Sequence, residues 1–237
     1  MKRCAVFGAS GGIGAALVRQ LAARDDVEVV FAGSRRGAVP GGEKVRAFRF
    51  DALDDAGLAE TVAGIGAPLD MVLVATGRLT RADGSGPEKA LRQLSAAALA
   101  EQFADNAIVP AMIARAVAPM MPRDRRAVFA ALSARVGSIG DNRLGGWHAY
   151  RASKAALNML LRTIAIEWAR THPLAVVAAL HPGTVDTALS APFQRGVPGD
   201  RLFTPEASAA ALLTVLEDLN PADSGGFFAW DGSPIPF

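Results

Sequence analysis

A chain of 237 residues, half of them apolar and a fifth charged, has room for one substantial core and little else. Basic residues exceed acidic ones by two and are scattered, so a pI near 9 points to no nucleic-acid stripe. The lone Cys4 excludes an internal disulfide and reads as a small buried hydrophobe in a first strand. The opening MKRCAVFGASGG carries too short an apolar run for a signal-peptide core, and no later run reaches the ~18 residues of a membrane span. A cytoplasmic protein without membrane or nucleic-acid partners is expected.

Strand-length apolar runs recur at 3–7, 27–33, 45–50, 69–75, 126–132, 174–180 and 226–230. Helical periodicity fills most of the intervals, at about 13–24, 54–65, 95–121, 148–171 and 205–218. Strands apolar on both faces, alternating with helices, predict a single α/β domain over 1–237, a doubly wound parallel sheet of about seven strands covered on both sides. Ligands of such sheets bind beyond the carboxyl ends of the strands.

The first loop there is Gly8-Ala9-Ser10-Gly11-Gly12-Ile13-Gly14. Its glycines allow a tight turn and a close approach to a pyrophosphate at a helix amino terminus. The spacing is not G-x-G-x-x-G, and it lacks the Gly-Lys-Ser/Thr ending of a nucleoside triphosphate hydrolase. The second strand ends in Ser34-Arg35-Arg36 with no carboxylate for ribose hydroxyls. A guanidinium fork at Arg35 and a hydroxyl at Ser34 suit a 2′-phosphate, which favours NADP(H) over NAD(H); a solvated arginine loop is the alternative.

Asp51 closes the third strand, positioned either for an adenine amino group or to cap the helix starting near Asp54. After the fourth strand, Ala75-Thr76-Gly77 lets a ligand lie against the backbone, and a polar loop follows from Arg78 to about Leu94. Pro110 has no N–H. If it shares a helix with Asn106, the Asn106 carbonyl loses its i+4 donor and the helix kinks; otherwise a helix starts near Val109 with proline in its first turn.

Ser133 to Lys154 is the chemically richest stretch. Tyr150 and Lys154 lie four apart in a helical run, placing phenol and ammonium on one face. Ser133 and Ser138 precede Tyr150 by 17 and 12 residues. An ammonium at ~4 Å with an effective dielectric near 20 supplies roughly 4 kcal/mol, enough before desolvation to lower the phenol by up to three pH units. No metal is needed or offered: His148, His172 and His181 have no ligand spacing with Cys4 or one another. Finally, 186–204 holds Pro192, Gly196, Pro198 and Gly199 with Leu189, Phe193 and Phe203, the pattern of a mobile lid over a substrate.

Together GASGGIG, Asn106, the serine stretch, Tyr150-Arg-Ala-Ser-Lys154 and His181-Pro-Gly-Thr184 resemble the short-chain dehydrogenase/reductase family over the whole chain. SARVGSIGDNRLGGW and YRASKAALN further resemble its C-factor-like branch. The resemblance implies an oxidoreductase moving a hydride between nicotinamide and a carbonyl/alcohol pair. Tyr150 would be the acid/base, and Lys154 would lower its pKa and hold the nicotinamide ribose. The Asn106 carbonyl would anchor a relay water. Gly8, Ser10, Gly12, Ile13 and Gly14 would surround the pyrophosphate, with Asp51 on the adenine. Ala75, Thr76 and Gly77 would back the cofactor, and Pro182, Gly183, Thr184 and Val185 would border the carboxamide. A homodimer or homotetramer pairing through the 148–170 helix is implied as well.

Three departures stand out. Val74-Ala75-Thr76-Gly77 replaces Asn-Asn-Ala-Gly. Gly11 stands where NADP-preferring members often carry a basic residue. Ala134 occupies the usual catalytic-serine position, leaving Ser133 as the expected hydroxyl and Ser138 in reserve. A nucleotide-binding regulatory or signalling protein with little turnover is therefore the rival reading.

Overall fold

The computed structural model describes residues 1–35, 38–66, 68–81, 83–195 and 198–237, with only the backbone of Asp200. Arg36 and Gly196 of the sequence reading lie outside the described residues. The chain begins with β1 (Lys2–Phe7), α1 (Gly12–Ala22), β2 (Val27–Ser34) and β3 (Val45–Arg49). It continues through α2 (Asp55–Ile65), β4 (Met71–Val74), α3 (Ala96–Phe103) and α4 (Val109–Val117). Then come β5 (Ala127–Leu132), α5 (His148–Thr171) and β6 (Ala175–His181). Two-residue strands β7 (Thr184–Val185) and β8 (Leu202–Phe203) precede α6 (Pro205–Asp218) and β9 (Gly226–Ala229).

Seven strands form one parallel sheet in the order β3-β2-β1-β4-β5-β6-β9, the doubly wound α/β architecture. Side chains alternate between two covered faces, which explains why the central strands β4, β5 and β6 are almost wholly apolar, while the edge strand β3 carries Arg46 and Arg49. Cys4 and Val6 of β1 join Leu17, Leu21, Leu212 and Leu216 of α1 and α6 in the core on one face. Ala5 and Phe7 join Leu58, Ile113, Leu157 and Trp168 of α2, α4 and α5 in the core on the other. Among the described residues no helix is long and apolar enough to cross a membrane.

The 95–121 segment resolves the Pro110 alternatives in favour of continuity. A π-turn over Ala104–Ile108 joins α3 to α4, with Val109 N–H reaching back to the Ala104 carbonyl. Pro110 enters the helix immediately beyond, where its missing N–H forces such a local widening. The parallel ribbon of β7 and β8 was not apparent in the sequence, since two-residue strands carry no periodicity.

Candidate active site

Three adjoining cavities open at the carboxyl ends of the strands. The central cleft, about 310 Å³, has the glycine turn and α1 on one side and β4–β5 as its floor. A small cavity of about 40 Å³ lies between Arg35, Asp51, Thr76, Gly77 and Asp105. On the far side a cleft of about 300 Å³ is walled by Leu79, Val136, Trp147, Leu189 and Phe193, with Ala134 and His181 also facing it. Tyr150 and Ser133 border both large clefts.

The glycine turn is shaped by contact. The N–H groups of Gly8 and Ala9 both donate to the Gly33 carbonyl at 2.9 Å, pinning the turn to the end of β2. Gly8 has φ +89°, and a Cβ there would lie 2.7 Å from the Ala75 backbone; one at Gly14 would lie 2.2 Å from the Gly8 carbonyl. Helix α1 starts at the turn with no side-chain cap and no acid in its first turn, leaving its amino end electropositive.

Gly12, Ile13, Gly14, Ala75, Thr76 and Gly77 face the central cleft, joined by Lys154 and Pro182. Gly8 is the turn's foundation, Ser10 is exposed on it, and Ser34 is buried at the end of β2. Gly183, Thr184 and Val185 border the apolar cleft. Gly183 needs its φ of +79°, and a Cβ there would strike the Phe203 ring at 2.6 Å. Asp51 does not cap α2. Its Oδ1 accepts from Leu53 N–H at 3.0 Å, while Asp54 takes the cap by accepting from Gly57 N–H.

On α5, Tyr150 and Lys154 are 7% and 3% exposed. The ammonium lies 5.9 Å from the phenol ring centroid and donates to the Leu132 carbonyl at 2.8 Å. Burial acts on both groups and in opposite senses: it pushes the phenol above its usual range and the ammonium down to about 7. The expected lowering of the phenol by its lysine does not appear; burial is the cause of the shift. Gly137 allows the fit, since a Cβ there would meet the Lys154 Cβ at 2.7 Å.

Ser133, at the end of β5, donates to Asn158 Oδ1 at 2.6 Å. Ser138 is buried, accepts from Asp141 N–H and faces neither large cleft, so Ser133 is the better placed of the two. Asn106 is fully buried and braces its neighbours rather than facing a cleft. Its Nδ2 donates to Ser153 Oγ at 3.2 Å, and Ser153 donates to the Tyr150 carbonyl at 2.8 Å.

The residues present fit a dinucleotide. The cradle has no room for a Cβ at Gly8, Gly12 or Gly14, and Thr76 Oγ1 is buried beside it without a hydrogen-bond partner. Among the described residues no three His, Cys, Asp or Glu side chains converge as a metal site would require.

Residues 2–197 match the family model for short chain dehydrogenases. The chain belongs to that family. As a short-chain dehydrogenase it is 33% identical to C-signal of Myxococcus xanthus over 160 residues, 67% of this chain and 90% of that protein. It is 36% identical to 1-hydroxy-2-glutathionyl-2-methyl-3-butene dehydrogenase of Rhodococcus over 56% of this chain, spanning only 55% of that enzyme's length. Among solved structures, the NADPH-bound carbonyl reductase from chicken fatty liver superposes with a TM-score of 0.83 at 25% identity, covering 100% of this chain and 94% of that one.

This short-chain dehydrogenase also has site residues that local sequence did not single out. Thr187 overhangs the glycine turn, its Cγ2 2.7 Å from where a Gly12 Cβ would sit. Trp147 packs edge-on to Tyr150 at 6.2 Å and to Phe193 at 5.2 Å. The Gly145-Gly146 pair before Trp147, with φ of +63° and +65°, was the available signal that the chain turns sharply there.

Proposed function

We propose that the protein is a cytoplasmic, NADP(H)-dependent carbonyl reductase, one catalytic unit over 1–237 acting on neutral, largely apolar aldehydes or ketones. The observation that carries this reading is Tyr150 at the boundary of the two large clefts, with Lys154 one turn further along the same buried helix face. When bound, the nicotinamide supplies the hydride. Gly12, Ile13 and Gly14 with the amino end of α1 would hold the pyrophosphate, Thr76 a sugar or phosphate oxygen, and Lys154 the nicotinamide ribose. Gly8 and Ser10 shape the turn, and Ala75 and Gly77 back the cofactor. Asp51 would meet the adenine, Ser34 and Arg35 a 2′-phosphate, and Pro182, Gly183, Thr184 and Val185 the carboxamide.

Tyr150 gives its proton to the substrate oxygen as the carbonyl becomes an alcohol. A phenol pushed upward by burial remains protonated at neutral pH, which suits reduction. An alkoxide is a far stronger base than a phenolate, so the transfer runs downhill. Lys154 then stabilises the phenolate left behind. Ser133 borders both clefts beside the phenol, and its hydroxyl is oriented by Asn158. Asn106 would anchor a relay water. The exposed Met159 and Ile166 on the outer side of α5 support a homodimer or homotetramer.

Tyr150→Phe assayed with NADPH against benzaldehyde, acetophenone and cyclohexanone tests the acid/base role; undiminished turnover would refute it. Dissociation constants for NADPH and NADH test the cofactor, and tighter NADH binding would overturn that choice. A second reading, a nucleotide-binding signalling protein, draws on the similarity to C-signal and on Ala134 at the usual serine position. NADPH binding with no turnover of any carbonyl would favour it.

A further inference from the structure

Glu88 lies in the 78–94 loop, 61 residues before Ala149, yet its side chain meets the helix that carries Tyr150. Only 6% of the residue is exposed. A carboxylate that deep needs partners, and one of its own is the Ala149 N–H, which donates to Oε2 at 3.2 Å. The Glu88 main-chain carbonyl accepts from Trp147 N–H at 2.5 Å. Glu88 therefore grips the amino end of α5 at two successive places, immediately before the phenol.

The local sequence explains why help from outside the helix is needed. Trp147 occupies the capping position and offers no side-chain oxygen. It is also the one non-glycine residue with positive φ (51°) among the described residues, a conformation kept only where surrounding contacts enforce it. Trp147 in turn forms the wall of the apolar cleft against Phe193. A negative charge at this end of α5 is favourably placed against the helix dipole.

We propose that Glu88 is a positioning residue, capping α5 from a distant loop and thereby holding Tyr150 and Trp147 at the angle the substrate cleft requires. The inference rests on the reading of Tyr150 as proton donor. Glu88→Ala removes the cap, Glu88→Gln keeps an accepting oxygen, and Glu88→Asp keeps the charge but withdraws it from Ala149.

Each full-length variant is assayed for kcat and KM at saturating NADPH with the carbonyls above, for NADPH affinity, and for amide exchange at 147–150. The expected result for Glu88→Ala and Glu88→Asp is a kcat loss on the order of ten- to a hundredfold, because small misplacements of a reacting group are costly. Exchange at 147–150 should speed up, NADPH affinity should stay within about twofold of the unmodified protein, and Glu88→Gln should recover most of the turnover. If Glu88→Ala fails to fold, Glu88→Asp carries the same comparison. Unchanged kcat in the Asp or Ala variant, or NADPH affinity falling in step with kcat, overturns the proposal. Tyr150→Phe run alongside separates the two ideas: inactive Tyr150→Phe with fully active Glu88 variants sinks the positioning role alone, whereas active Tyr150→Phe sinks the acid/base reading.

Discussion

The side-chain amide of Asn106 pairs with both backbone groups of Arg78, as a neighbouring strand would. Oδ1 accepts from Arg78 N–H at 2.9 Å and Nδ2 donates to the Arg78 carbonyl at 2.9 Å. Nδ2 also reaches Gln102 Oε1 at 2.7 Å, so one side chain ties the loop after β4 to α3 and, through Ser153, to α5. Asn106→Leu should destabilise the protein by about 2–4 kcal/mol, since several buried polar groups lose their partner together. Denaturant unfolding with an unchanged m-value checks this, and a loss below about 1 kcal/mol would contradict the bracing role.

Asp105, next to Asn106 on the π-turn, draws two arginines toward the small cavity beside Asp51. Arg78 Nε lies 2.6 Å from its Oδ2, and Arg35 Nη1 lies 3.8 Å from its Oδ1. Asp105→Asn should free Arg35 for a 2′-phosphate, tightening NADPH severalfold while leaving NADH nearly unchanged. Fluorescence titration at two salt concentrations measures this; an equal change for both cofactors would show that Asp105 does not set selectivity.

His181, at the end of β6, is pushed down to about 4 by burial, with the Arg135 charge adding to the effect. An unfolded histidine takes up a proton near 6.5, so the unfolded chain binds more protons as the pH falls below that value. The stabilisation from keeping His181 neutral is thus complete above about 6.5 and is lost as the pH drops toward 4. The gap between 6.5 and about 4 corresponds to roughly 3 kcal/mol. The melting temperature of His181→Asn should fall less steeply across that window than that of the unmodified protein; parallel curves would exclude His181 as the titrating group.

Gly14→Ala places a methyl 2.2 Å from the Gly8 carbonyl oxygen, against the Gly8-Ala9 backbone. A cost of about 1–3 kcal/mol is expected, with weakened NADPH binding because turn and α1 must part. Gly64 is the control: it sits on α2 with nothing within 4 Å of the added carbon, so alanine there should stabilise slightly. Similar effects at both positions would refute the contact argument.

Much of this was legible in the residues, because parallel strands buried on two faces and a Tyr/Lys pair one turn apart are local patterns. The predicted helix over 148–171 coincides with α5. The rest depended on distant segments meeting. That Ser133 is held by Asn158 and that Glu88 reaches Ala149 depend on tertiary contacts with no local trace, whereas Asp51 turned to a local partner, the Leu53 N–H. The effect of burial on the phenol and the ammonium was likewise invisible, since desolvation is a property of the packed interior.

The pairing of Thr184 with Leu202 and of Val185 with Phe203 brings the entry and exit of the intervening chain side by side. The chain leaving Val185 therefore hangs from a clasp, and Thr187 just beyond it rests against the glycine turn. Because that clasp is a sheet of its own, a change of length between its two strands would leave the register of the seven-stranded sheet alone.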